Sequence, residues 1–115
     1  MSRHDNAVRL RHMLDATRKA VSLVAGKSRS EIATDELAQL ALARLLEIVG
    51  EAAGKVSPGY QAANPEIPWP SMGGLRNRLA HAYFDIDLDI LLDIVANDLP
   101  PLIRQLEGLL PDGHR

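Results

Sequence analysis

Between residues 34 and 56 the apolar side chains recur at helical spacing. Leu42, Leu45, Leu46, Val49, Ala53 and Val56 line one face of a helix that advances about 100° per residue, while Ala43, Glu47, Gly50 and Gly54 fall opposite. Such a stripe has to be buried against other elements. The available core material fits: 46% of residues are hydrophobic but only 3% aromatic, so Leu, Ile, Val and Ala must fill the interior. Strand alternation persists nowhere, and there is no internal repeat or low-complexity segment. At 115 residues the chain makes one small domain, residues 1–115. The expectation is an all-α fold, an antiparallel four-helix bundle with room for a fifth short helix.

The helix boundaries follow from stop and start signals. A first helix spans about 5–25, with Val8, Leu14, Val21 and Val24 among its apolar positions and Gly26 as its stop. One turn is expected from Glu31. The second helix starts at Thr34 or Asp35 and ends before Ser57-Pro58-Gly59. Residues 57–68 hold three prolines and read as an irregular loop. A third helix begins near Pro70, since a first-turn proline forfeits no helical bond. Asp85 and Asp87 break it and cap a fourth helix, Leu88 to Leu110, which Pro100-Pro101 should kink.

Several function classes drop out. The chain has no cysteine, which removes disulfides and thiolate metal sites and fits a reducing, cytoplasmic setting. His4, His12 and His114 are scattered without metal-ligand spacing. Gly73-Gly74 lacks the strand and lysine of a phosphate-cradling loop. No apolar run approaches the roughly 20 residues of a membrane span, and neither such a span nor a signal peptide is expected. With a net charge of −2 there is no bulk excess of positive charge, so the chain is not a sequence-reading DNA-binding domain. Any contact with RNA must be local.

The third helix carries the chemistry. Arg76-Asn77-Arg78-Leu79-Ala80-His81-Ala82-Tyr83 places a permanent cation, an amide, an imidazole and a phenol in one octet. Met72, Leu75, Leu79 and Ala82 form its core stripe; Asn77 and His81 face away, and Arg76 and Tyr83 share the border. Geometry alone leaves His81 either an ordinary surface or interface histidine or a proton shuttle. Asn77 either orients a phosphate or an imidazole or is a solvated amide. Arg78 points elsewhere and is not expected to be catalytic. Glu47 and Glu51 could act as paired carboxylates, but Glu51 with Lys55 reads as a routine surface pair. Gly50, Gly54, Gly73 and Gly74 lie on outward faces, where helical glycine costs about 1 kcal/mol against alanine. A close partner helix would account for them, so a homodimer through the second and third helices is expected.

The spacing R-x-x-x-x-H-x-Y, with a polar residue after the arginine, resembles the signature of HEPN ribonucleases. Leu45-Leu46-Glu47-Ile48-Val49-Gly50-Glu51-Ala52-Ala53, Ile67-Pro68-Trp69 and Asp98-Leu99-Pro100-Pro101 extend the likeness over most of the chain. Within that group the chain is most similar to the HepT toxins, which pair with MntA-type nucleotidyltransferase antitoxins. The resemblance implies a HEPN-like bundle that dimerises, or enters a larger assembly with the antitoxin, and an endoribonuclease needing neither metal nor cofactor. Its substrate would be RNA, not DNA, and it would not engage a membrane. His81 from each subunit would supply base and acid, Arg76 would neutralise transition-state charge, and Asn77 and Glu47 would support them. Tyr83 would accept AMP from the antitoxin. A silent HEPN module that binds nucleotide or RNA, or presents substrate to a transferase, and a plain helical adaptor are the alternatives.

Overall fold

A computed structural model describes residues 3–75, 78 and 87–110, and these are helical without a strand. The first helix, α1, spans Arg3–Val24. Gly26 follows it at φ +73°, a left-handed conformation that glycine adopts without steric cost, and turns the chain. The short α2, Arg29–Ala33, opens with a capping box: the Ser28 hydroxyl accepts from the Glu31 N–H, and the Ser28 N–H donates to the Glu31 carboxylate. That contact, its backbone bond first, holds the Glu31 carboxyl below the ordinary carboxylate range. The Asp35 side chain caps α3, Glu36–Gly54, by accepting from the Ala38 N–H at 3.0 Å.

The α1–α3 contact forms the centre of the core, where Leu10, Met13, Leu14, Leu42, Leu46 and Val49 are buried. Full burial of such side chains contributes roughly 1.5–3 kcal/mol each. The two helices run antiparallel, because Asn6 near the start of α1 meets Ser57 just beyond α3. Their contact is reciprocal: the Asn6 amide donates to the Ser57 hydroxyl at 3.0 Å, and the Ser57 N–H donates back to the Asn6 oxygen at 3.1 Å. Of the expected α3 stripe, Leu42, Leu46, Val49, Ala53 and Val56 are buried and Leu45 is half-buried.

The expected loop 57–68 is more ordered than its prolines imply. Pro58–Ala63 form α4, with Pro58 in its first turn. α3 already stops at Gly54, and the proline expected to end it stands in the first turn of the next helix, where its missing N–H costs nothing. The Gln61 amide returns to the Val56 and Ala53 carbonyls, and the Trp69 indole N–H donates to the Asn64 carbonyl at 2.9 Å. The Tyr60 ring meets Trp69 edge-on, with centroids 6.4 Å apart. Burial, and then the Glu66 charge, push the Tyr60 phenol up.

Trp69–Gly73 form α5, beginning within one residue of the expected start. The last helix begins as α6, Leu88–Asp93, capped by the Asp87 carboxylate, which accepts from the Ile90 N–H. It passes through a π segment, Ile94–Asp98, into α7, Leu99–Leu109. Pro100 and Pro101 do not break the helix. Lacking N–H groups, they cannot donate α-type bonds to Ala96 and Asn97; the widened turn before them carries the irregularity, with the Leu99 N–H bonded to the Ile94 carbonyl five residues back. Leu99, Leu102 and Leu106 close the core against α1, and Arg18 pairs with Glu107 at 2.7 Å. No described helix is long and apolar enough to cross a membrane.

Candidate active site

The approach to the octet is set by α3 and α5. Met72 and Leu75, expected in its core stripe, are both buried. Gly50 makes their position possible. A Cβ there would stand 3.0 Å from the Met72 carbonyl oxygen and 3.7 Å from the Leu75 Cβ. This corrects the expectation that Gly50 is kept free for a partner subunit: its missing side chain admits a helix of the same chain. Gly54 and Gly73, by contrast, have nothing within 4 Å of a built Cβ.

Of the octet, Arg78 falls within the described residues; Arg76, Asn77, His81 and Tyr83 lie outside them, as do Leu79 and Ala82 of the expected stripe. Arg78 is helical, its N–H donating to the Gly74 carbonyl at 3.2 Å. Its guanidinium Nη1 reaches the Asp98 carboxylate at 3.4 Å, with both side chains partly exposed. The octet is thereby tied to the end of the π segment. Sequence reasoning quoted Asp98 within a family-like segment but gave it no role, since a contact across 20 residues leaves no periodic trace.

Glu47 sits on α3 one turn before Gly50, partly exposed, with Arg44 Nη1 at 3.3 Å. The same Arg44 nitrogen lies 3.3 Å from Glu51, so the two carboxylates share one cation on the helix surface. That replaces the expected Glu51–Lys55 pairing. His12 is exposed on α1, and among the described residues no three His, Asp or Glu side chains gather as a metal site.

An all-helical chain whose α5 leads into an Arg–His–Tyr octet fits a HEPN-type helical ribonuclease. The comparisons with known proteins agree. The family model described as ribonuclease HepT-like matches residues 13–109, which include the whole octet. The protein named "Putative RNase MJ1380" from Methanocaldococcus jannaschii is 32% identical over 93% of this chain and 98% of its own. "Probable ribonuclease HepT" from Thermococcus cleftensis is 40% identical over 65% of this chain and 68% of its own. No solved structure matches. The chain belongs to the ribonuclease HepT-like family.

Proposed function

We propose that this protein is an endoribonuclease toxin that cuts RNA at the octet without a metal, the whole chain acting as one HEPN-type unit. The observation that carries the reading is the R-x-x-x-x-H-x-Y octet inside the segment matched by the family model. The RNA 2′-oxygen attacks the adjacent phosphorus, the bond to the 5′-oxygen breaks, and the products carry a 2′,3′-cyclic phosphate and a 5′-hydroxyl. His81 of one protomer takes the 2′-hydroxyl proton, and the same residue of the second protomer gives one to the leaving oxygen. Arg76 neutralises the charge that builds on the phosphorane-like transition state, a task suited to its planar fork.

Asn77 orients the scissile phosphate. Glu47 supports Arg76 or His81; its position one turn before Gly50, which packs against Met72 and Leu75, favours that role. The composite site requires a homodimer, favoured by exposed Leu37 and Leu40 on α3 and by the open faces of Gly54 and Gly73. The toxin works in the cytoplasm beside an MntA-type nucleotidyltransferase, with which it forms a larger hetero-oligomer. That partner silences it: the Tyr83 phenol oxygen attacks the α-phosphorus of ATP, AMP is attached and pyrophosphate leaves. The bulk and negative charge of AMP then exclude RNA from Arg76.

The test uses protein whose intact mass excludes AMP, in excess EDTA, with varied RNAs and their DNA counterparts. The reading predicts cut RNA with cyclic phosphate ends and untouched DNA. Cleavage of DNA would contradict the 2′-hydroxyl mechanism. Failure to cut any RNA would leave a silent nucleotide- or RNA-binding module as the better account.

A further inference from the structure

We infer that Asp98 is a positioning residue for the octet, holding Arg78, three positions before His81 in the sequence, in the placement that cleavage requires. The inference rests on the octet being the cleavage site.

Arg78 is anchored at two points. Its backbone N–H continues the helical ladder to Gly74, and its guanidinium meets Asp98 from the last helix. In the sequence Arg78 stands three positions before His81. A restraint on Arg78 therefore acts on the octet itself, close in sequence to the proposed proton shuttle. The buried pair Met72 and Leu75 fixes which face of the helix turns inward, and Gly50 lets it lie close to α3. Apolar contacts of this kind are non-directional and tolerate a small roll about the helix axis. The Arg78–Asp98 contact adds a directional constraint on that roll.

The carboxylate's own position is also built. Asp98 ends the π segment, directly ahead of Leu99, which is buried, and of Pro100 and Pro101. Leu99 fixes the helix to the core one residue beyond the carboxylate, while the prolines bar the regular ladder at this point. π segments interrupt α-helices at functional positions more often than chance.

Stability alone gives a weak reason for the pair. At 3.4 Å, with side chains 39% and 35% exposed, it is long and partly solvated, and such pairs add little to folding. Orientation is the larger effect, since small misplacement of reacting groups slows a reaction by up to about a hundredfold.

The experiment is steady-state RNA cleavage by full-length Asp98→Asn, Arg78→Gln, the double variant and Asp98→Glu, with His81→Ala alongside and melting curves for all. Each neutralising substitution should lower kcat about tenfold and leave KM within about twofold. The double variant should be no slower than either single one, because the two residues act as one unit. Asp98→Glu should recover most of the rate, and melting temperatures should stay near wild type. Wild-type kcat in Asp98→Asn overturns the inference, as do losses that multiply in the double variant. A raised KM for Arg78→Gln with a lowered one for Asp98→Asn also overturns it, because Arg78 then grips RNA itself. Full activity in His81→Ala would instead refute the octet reading beneath it.

Discussion

The α1–α3 contact and the approach from α5 to Arg78 both join helical segments of the chain, yet they are held by different means. Leu10, Met13, Leu14, Leu42, Leu46 and Val49 fill the first with aliphatic bulk. The second depends on a missing side chain at Gly50, an indole bond from Trp69 to Asn64, and an ion pair from Arg78 to Asp98. Aliphatic burial is large and non-directional. The polar contacts and the close approach are small in energy but fix position. If the octet is the site proposed above, stability and catalytic geometry reside in different parts of one small fold, and substitutions should separate them.

The largest separation is expected at Arg76. Arg76→Ala should reduce kcat by about 10²–10³-fold, the usual consequence of removing a charge-stabilising donor, with an unchanged urea midpoint. Leu46→Ala should do the reverse. It should cost about 2–5 kcal/mol in equilibrium unfolding, while the fraction still folded cuts RNA at the normal rate.

Gly50→Val tests the hinge between the two regions. Its side chain would press on the Met72 carbonyl, which is backbone and has to move with α5. Overpacking should cost about 1–3 kcal/mol, and, unlike Leu46→Ala, it should also slow cleavage by the folded protein. Gly54→Ala is the smallest and opposite case. Its Cβ meets nothing within 4 Å, so stability should rise by up to about 1 kcal/mol. A loss of stability or of dimer at Gly54→Ala, followed by sedimentation, would show that a second protomer packs against it.

Much of the fold was legible in the sequence. The α3 stripe, the Gly26 stop, the Asp87 cap and the start of α5 are local signals of spacing and capping, and each appears where expected within a residue or so. What escaped was long-range or double-valued. Pro58 begins a helix, and the sequence pattern marked it only as an end. Gly50 sits off the apolar stripe, and spacing cannot distinguish a face turned to a partner subunit from one turned to α5. The Pro100-Pro101 pair was read as a kink, and the irregularity found there is a π segment directly before the prolines. For the site, the octet was conspicuous as chemistry. Its tie to Asp98 depends on how two distant helices meet, which periodicity does not encode.

The most direct test of the central claim is RNA cleavage in excess EDTA by wild type and His81→Ala, both shown by intact mass to carry an unmodified Tyr83. The account predicts cutting by wild type and a loss of at least about a hundredfold in the variant, with the same melting temperature. Equal cleavage by the two proteins would contradict it and move the site away from the octet.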